Sequence, residues 1–202
     1  MLFEAIRGMD LSRFTRVILT SVSEHANLYF DCDEIVSSLR EIAPHAECEL
    51  VLLDAFTRHQ PETVAQTIRL ARVNGAFGIK DCDNYFSMTP VPGNTVACVN
   101  LAYDTTITAA NKSFVQQDEE GRVRVIREKE VISDTFCCGY YGFADARRFM
   151  TIYEEHSEHT DLYISQVIEQ AISLGDEFRV IGAGDYLDWG TFPDWERYLK
   201  RL

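Results

Sequence analysis

The sequence has little positive charge and no long apolar run. Both absences limit the classes of protein to which it can belong. Its 202 residues carry 19 Lys and Arg against 32 Asp and Glu, a formal net charge of −13. This balance counts against a DNA or RNA polymer as partner, because clustered Lys and Arg bind phosphate backbones. No apolar run approaches the ~20 residues of a membrane-spanning helix, so we expect no membrane partner. A nucleotide stays possible, because it needs only a few local cations or a magnesium ion.

The sequence also lacks paired cysteine motifs. Its six cysteines form no CxxC pair and no zinc-binding spacing. Most of them stand in apolar, strand-like runs, so we expect free thiols and a reducing cytoplasm as the location. The opening MLFEAIRGMD contains Glu4 and Asp10 and has no apolar core of a secretory signal.

The sequence has the composition of an ordinary globular protein, and strand-like segments alternate with helix-like segments along its first half. Hydrophobic residues make up 46% and charged residues 25%, as in soluble domains. Short apolar runs at 15–20, 47–53 and 75–80 predict buried strands, and helical spacing at 31–42 and 61–73 predicts the helices between them. Strand–helix alternation of this kind predicts a mostly parallel sheet with helices on both faces.

The second half of the chain reads as further strands and helices. Strands are predicted at 96–101, 112–117, 122–128, 137–143 and 179–182, and helices at 144–156, 163–174 and 194–202. No repeat, low-complexity tract or linker divides the chain. We therefore expect one α/β domain over residues 1–202, with a mixed sheet of about six or seven strands.

The tripeptide Asp-Cys-Asp occurs twice, at 31–33 and at 81–83, and the two copies have different settings. The first stands where a helix begins, so Asp31 and Asp33 are expected to cap that helix. The second follows the third strand and precedes Asn84. Its hard oxygen ligands at the carboxyl end of a strand suit magnesium held together with substrate phosphates. An acidic turn that merely closes the strand is the alternative.

Four blocks in a fixed order resemble one known family. They are TRHQPETVAQTIRLAR (57–72), KDCDNYF (80–86), VRVIREKEVISDTFCCGYYGF (123–143) and GDYLDWGTFPDWERYL (184–199). Together they resemble the sugar-phosphate nucleotidyltransferases, also called nucleoside-diphosphate-sugar pyrophosphorylases, and most of all those of capsule and surface-polysaccharide precursor synthesis. The resemblance implies a three-layer α/β/α fold, similar to that of DxD (GT-A type) glycosyltransferases. It also implies that a nucleoside triphosphate and a sugar 1-phosphate or related phosphate are joined, with release of pyrophosphate.

The resemblance also implies a magnesium site. The metal-binding Asp of the family matches Asp83, with Asn84 after it as a substrate-binding residue and Asp81 as a neighbouring or second-shell group. A second metal ligand is implied in the block Asp-x-Gly-Thr, which begins here at Asp188. We expect the Asp83 and Asp188 carboxylates to lie within about 6 Å of each other, so that one ion can contact both.

For the substrates, the resemblance matches a Glu-Lys pair to Glu128 and Lys129. The Glu would accept from substrate hydroxyls and the Lys would meet a phosphate, which makes Lys129 and Asp83 the expected catalytic residues. Gly139 falls beside the bound sugar phosphate. The segment near the nucleotide base matches Gln60, Glu62 and Thr63. Glu128 and Lys129 could instead be solvated residues at a strand end.

One hallmark of the family has no counterpart in this sequence. A Gly-rich loop after the first strand, followed by Arg and later Lys, normally holds the triphosphate, and MLFEAIRGM resembles the helix that follows it. We therefore expect an N-terminally truncated fold, with a groove or exposed sheet position where the first strand would lie. Residues 1–202 alone are expected to bind a nucleotide without releasing pyrophosphate. The alternatives are a non-catalytic nucleotide-sugar-binding relative or a DxD glycosyltransferase, and in each case a homo-oligomer is possible.

Overall fold

The computed structural model describes residues 2–101 and 111–200. In these ranges the chain forms seven α-helices, one short 3-10 helix (Leu11–Arg13) and ten β-strands. The helices are α1 (Leu2–Arg7), α2 (Ser23–Tyr29), α3 (Cys32–Ile42), α4 (Gln60–Leu70), α5 (Ala146–His156), α6 (Ile164–Ser173) and α7 (Phe192–Leu199). The strands are β1 (Arg16–Val22), β2 (Glu47–Leu53), β3 (Phe77–Lys80), β4 (Asn84–Ser87), β5 (Thr95–Asn100), β6 (Ser113–Gln117), β7 (Val123–Glu128), β8 (Thr135–Phe143), β9 (Arg179–Gly182) and β10 (Gly184–Asp188).

The strands form one large sheet and two smaller pairs. The large sheet has the order β7-β6-β8-β5-β9, with β3 also paired to β8. Strands β1 and β2 form a separate parallel pair, and β4 and β10 form an antiparallel ribbon. The predicted mixed α/β architecture is confirmed.

The balance of strand directions differs from the expected mostly parallel sheet. In the described part of the chain the parallel pairs are β1–β2 and β5–β9. The long strand β8 runs antiparallel to all three of its neighbours, β3, β5 and β6. The reason lies in the connections, because antiparallel neighbours need no helical crossover and no helix lies between the successive strands β6, β7 and β8.

Helices cover both faces of the sheet. On one face the fully buried Phe149 and Ile168 of α5 and α6 pack with Phe143 of β8. On the other face Leu39 of α3 packs with Phe136 of the same strand. Neighbouring side chains of a strand point to opposite faces, so β8, which is buried almost throughout, serves both cores.

A groove separates β1 from β3, as the sequence predicted. It has a volume of about 570 Å³ and is lined by residues of both strands and of α4. In the described ranges β1 pairs with β2 alone and β3 with β8 alone, so the strand edges facing the groove lack a partner strand.

Most predicted elements are present with small shifts at their ends. The helix predicted at 194–202 runs from Phe192 to Leu199, and residues 201–202 lie outside the described part. Asp31 is the N-cap of α3 and accepts from the backbone N–H groups of Asp33 (2.9 Å) and Glu34 (3.2 Å), which confirms the capping interpretation for Asp31. Asp33 lies in the first turn of the helix and donates its backbone N–H to this cap. Helix α2 and the strands β4 and β10 were not predicted.

Within the described residues, no helix is long and apolar enough to span a membrane.

Candidate functional site

A cleft opens where β3, β6, β7 and β8 meet α6, and we call it the central cleft. It has a volume of about 190 Å³. Its lining includes Gln60, Asp81, Asp83, Asn84, Lys112, Ser113, Glu128, Lys129, Gly139, Tyr163, Ser165 and Tyr186. Seven of the residues expected at a site are in this lining, although they come from chain segments up to eighty positions apart. The fold therefore gathers most of the predicted residues at one place.

Two of the predicted metal ligands meet at the edge of the cleft. Asp83 follows β3, and Asp188 ends β10, which pairs with β4 so that Asp188 stands opposite Asn84. The backbone N–H of Trp189 donates to the Asp83 carbonyl at 2.8 Å. A Cβ on Gly190 would lie 3.2 Å from Asp188 Oδ1 and 3.4 Å from Asp83 Oδ2. The two oxygens are therefore no farther apart than the sum of these distances, close to the ~6 Å expected.

We call the edge formed by Asp83 and Asp188 the acidic edge, and a lysine ammonium group lies beside it. The Lys112 ammonium lies 2.6 Å from Asp188 Oδ2, and it donates to the Tyr186 hydroxyl at 2.8 Å. Both side chains of the Lys112–Asp188 pair are largely shielded from solvent. Burying a carboxylate is costly without a partner, and Lys112 supplies that partner in the ligand-free chain.

Asp81 occupies a more strained electrostatic position. Burial and the nearby Asp83 carboxylate raise the pKa of Asp81 to about 6. Its backbone N–H donates to the Gly139 carbonyl at 2.8 Å, and the Gln60 side chain donates to its carboxylate. A cation bound at this edge would relieve the repulsion between Asp81 and Asp83.

The residues present fit a divalent cation held jointly with a substrate. In the described ranges there is no group of three or more His, Cys, Asp and Glu side chains arranged as a ready-made metal site. Asp83 and Asp188 offer two carboxylates toward one space. Magnesium characteristically uses one or two carboxylates and takes its other ligands from water and phosphates, so this pair is sufficient for it.

Gly139 forms the floor of the cleft, and a side chain would not fit there. Its φ of +98° lies in a region that L side chains rarely adopt. A Cβ at this position would stand 2.6 Å from the Asn84 amide nitrogen and 2.7 Å from an Asp81 carboxylate oxygen. Glycine therefore lets β8 pass directly beneath the acidic turn.

The opposite wall of the cleft carries the Glu-Lys pair. The Glu128 carboxylate accepts from the hydroxyls of Ser113 and of Ser165, the latter at 2.6 Å. Lys129 has a φ of +57°, and its ammonium donates to the Tyr163 hydroxyl and lies 4.3 Å from the centre of that ring. The hydrogen bond to Tyr163 raises the pKa of Lys129, so this side chain carries a positive charge into the cleft mouth. Glu128 is thus oriented by two hydroxyl groups, and Lys129, although exposed, has Tyr163 as its partner.

The three residues expected near a nucleotide base are divided between two places. Gln60 lines both the central cleft and the β1–β3 groove, and Thr63 lines the groove only. Glu62 lies in neither lining and forms an ion pair with Arg58 at 3.1 Å, which lowers the pKa of its carboxyl group. The Glu62 carboxylate is therefore committed to the start of α4.

Sequence reasoning missed several residues in the cleft and next to it. Lys80 directly precedes the acidic tripeptide, and a lysine at the end of a buried strand was a usable signal. Its ammonium donates to the carbonyl of Asp81 (2.7 Å) and to the carbonyl (3.1 Å) and side-chain oxygen (2.5 Å) of Asn84. It also lies 4.4 Å from the centre of the Phe86 ring. Lys80 thereby fastens the acidic turn to β4. Lys112, Ser113, Tyr163 and Ser165 carry no local sequence pattern that marks them.

The titration of Lys80 gives a testable consequence. Burial lowers its pKa from 10.5 to about 8, so between these pH values the folded chain releases a proton that the unfolded chain keeps. Stability should therefore rise with pH across this window. Relative to Lys80→Met, the wild-type protein is expected to gain about 2 to 3 kcal/mol of unfolding free energy between pH 8 and 10.5. Urea unfolding at several pH values in EDTA measures this difference, and parallel curves for both proteins would contradict it.

Comparisons with known proteins agree with this architecture. No family model and no curated protein matches the sequence. Among solved structures, the nucleoside-diphosphate-sugar pyrophosphorylase from Vibrio cholerae RC9 is similar with a TM-score of 0.73 and 18% identity, over 94% of this chain and 81% of that one. The inositol-1-phosphate CTP transferase from T. maritima has a TM-score of 0.68 and 15% identity, over 89% of this chain and 72% of that one. A UDP-glucose pyrophosphorylase complexed with UDP-glucose has a TM-score of 0.62 and 15% identity, over 92% and 81%.

These similarities define the class of fold. At such low identity they show that the chain has the α/β fold of sugar-phosphate nucleotidyltransferases, in agreement with the resemblance found in its sequence blocks.

Proposed function

We propose that this chain serves a sugar-phosphate nucleotidyltransferase reaction, in which a nucleoside triphosphate and a sugar 1-phosphate or related phosphate are joined and pyrophosphate is released. The observation that supports this most directly is the pairing of two walls in one cleft. One wall carries the carboxylate of Asp83, with that of Asp188 at its edge, and the other carries Glu128 and Lys129. The similar solved structures bear pyrophosphorylase and CTP transferase names, which supports the same reaction class.

The two walls suit the two halves of such a reaction. The phosphate oxygen of the sugar phosphate attacks the α-phosphorus of the triphosphate, and the bond from that phosphorus to the leaving pyrophosphate breaks. Magnesium bound by Asp83 and Asp188 would neutralise the negative charge that grows on the phosphate oxygens. Catalysis of this kind is mainly alignment and charge neutralisation, so no nucleophilic side chain is required.

The sugar phosphate fits the wall formed by β7 and α6. Glu128 is fixed by Ser113 and Ser165 and keeps free lone pairs for substrate hydroxyls. Lys129 stands beside it as a cation for the phosphate, and Asn84 and Gly139 lie on the floor between the two walls. In this proposal the products are precursors of surface polysaccharides, the cofactor is Mg²⁺ and the reaction takes place in the cytoplasm.

A direct test combines turnover with binding. The purified chain is incubated with Mg²⁺, each common nucleoside triphosphate and a panel of sugar 1-phosphates, while released pyrophosphate and the melting temperature are recorded. A triphosphate that raises the melting temperature by mass action, and more so with Mg²⁺, supports the proposed site. Pyrophosphate release would establish the reaction in this chain, and binding without release would favour a binding relative. Absence of both across the whole panel would contradict the proposal.

The Lys129→Ala variant separates the two substrates. We expect its affinity for the sugar phosphate to fall about 10-fold or more, because a cation that meets phosphate is removed. Its affinity for the triphosphate should change much less, since Lys129 lies on the opposite wall from Asp83. Calorimetric titration measures both constants, with Lys200→Ala as the control because that lysine is exposed at the C-cap of the last helix. Equal loss for both ligands would show that Lys129 does not distinguish them.

A further inference from the structure

Lys112 reaches across the central cleft from one wall to the other. Its backbone belongs to the wall of the Glu-Lys pair, because its carbonyl accepts from the backbone N–H of Lys129 at 3.0 Å. Its ammonium lies at the acidic edge, 2.6 Å from Asp188 Oδ2, and only 16% of the side chain is exposed. Lys112 therefore holds a cation beside the carboxylates that are the candidate metal ligands.

Both oxygens of the Asp188 carboxylate have donors within the chain itself. Oδ1 accepts from the backbone N–H of Gly190 at 3.1 Å, and Oδ2 contacts the Lys112 ammonium. A divalent ion bound to Asp188 would share this carboxylate with the ammonium, and two cations so close together repel each other strongly. Magnesium also gives up its water reluctantly. The ion must therefore displace Lys112 from Asp188 or bind there weakly.

Tyr186 gives the ammonium a second partner that stays in place. The Lys112 ammonium donates to the Tyr186 hydroxyl at 2.8 Å and lies 5.4 Å from the centre of the ring. That ring is buried and packs against the rings of Phe86 and Phe136. When an ion takes over Asp188, the ammonium can leave the carboxylate and still keep its hydroxyl partner. The flexible four-carbon stem of lysine permits such a move.

We propose that Lys112 keeps divalent cations from binding tightly to the acidic edge until a nucleoside triphosphate enters, and that its ammonium then moves from Asp188 to the phosphates. The inference rests on the proposed function, because that function brings the triphosphate and Mg²⁺ to this edge together. Phosphate oxygens are strong partners for an ammonium group, so they replace the contact that the ion removes. Metal and triphosphate then bind as a coupled pair, in which each strengthens the binding of the other by the same factor.

The Lys112→Met variant tests this, because it removes the charge and keeps most of the stem. The whole chain is titrated calorimetrically with MgCl₂ alone, and then with each common nucleoside triphosphate at saturating Mg²⁺. We expect the variant to bind Mg²⁺ about 10-fold more tightly than the wild type, because Asp188 has lost its competing cation. It should bind the triphosphate about 10-fold more weakly, because the cation that meets the phosphates is gone. Loss of a merely structural residue would not change the two affinities in opposite directions.

Lys200→Met is the matched control, since it removes the same charge from an exposed position and should leave both affinities unchanged. Lys112→Gln is a second neutral variant, for the case that Lys112→Met does not fold. In an Asp188→Asn background, Lys112→Met should no longer raise the affinity for Mg²⁺, because the competition acts through Asp188.

Mg²⁺ binding that is unchanged or weaker in the neutral Lys112 variants would overturn the proposal, and so would an equal gain in Lys200→Met. Failure of the proposed function has a different signature. If the wild-type chain binds no triphosphate, the proposed function fails and the move to phosphate is overturned with it. The titration with MgCl₂ alone still decides whether Lys112 competes for Asp188.

Discussion

In a form of the protein that releases pyrophosphate, replacing Asp83 by Asn is expected to lower this Mg²⁺-dependent release by about two orders of magnitude or more. The change keeps the shape of the side chain but removes one of the two charges that face the space beside Gly190. In the binding assay the same variant should lose most of the contribution of Mg²⁺ to triphosphate affinity. Calorimetric titration with and without EDTA measures that contribution even where turnover is absent.

The sequence supplies its own control for this experiment. Asp33 is the last residue of the other Asp-Cys-Asp tripeptide and lies exposed in the first turn of α3. Asp33→Asn should leave Mg²⁺-dependent binding and release unchanged, with at most about 1 kcal/mol of lost stability from the helix start. Similar losses in both variants would mean that the effect is a general one of surface charge and not of a metal site.

The second large effect is expected from Gly139→Ala. The new Cβ would have to adopt a φ near +98° and would meet the side chains of Asn84 and Asp81 at 2.6 and 2.7 Å. We expect a loss of about 3 kcal/mol or more of unfolding free energy, from backbone strain together with overpacking. Urea unfolding measures this loss, and weaker ligand binding should accompany it because the acidic turn must shift.

Gly175 provides a matched comparison, because a side chain there would have the backbone strain of a positive φ without the clash. Its φ is +95°, but a Cβ there would meet nothing within 4 Å. Gly175→Ala should therefore cost only about 1 to 2 kcal/mol, the strain of the left-handed region alone. The difference between the two variants isolates the clash beneath the acidic turn. If both variants lose the same unfolding free energy, the close approach of β8 to Asp81 does not contribute to the cost of Gly139→Ala.

The sequence predicts the regular parts of this fold well, because each of them has a local cause. The apolar run at 15–20 predicts a strand, and the helical spacing after Asp31 predicts a helix. Both patterns depend only on neighbouring residues, and both elements occur where expected, as β1 and α3. The direction of β8 is different, because a strand pattern does not state which neighbours the strand will have. The antiparallel share of the sheet therefore came out larger than predicted.

The candidate site divides in the same way. Asp83, Glu128 and Gly139 were predicted from short blocks, and the structure places all three in one cleft. Whether they perform the expected roles is a matter for the experiments above. Lys112 could not be predicted, because its significance comes entirely from Asp188, seventy-six positions later. The commitment of Glu62 to Arg58 is likewise visible only once the start of α4 has been built.

The ribbon of β4 and β10 contains one irregularity that matters for the acidic edge. Gly184 pairs with Ser87, yet Leu187 pairs with Tyr85 and Asp188 with Asn84, so β10 has one residue more than β4 over this stretch. The extra residue lies at Asp185 or Tyr186, and Asp185 has a φ of +53°. In a regular ladder continued from Gly184, Leu187 would stand opposite Asn84. The extra residue therefore sets the chemistry at this edge. With it, the ribbon places a carboxylate beside Asn84, and without it the ribbon would place the hydrocarbon side chain of Leu187 there.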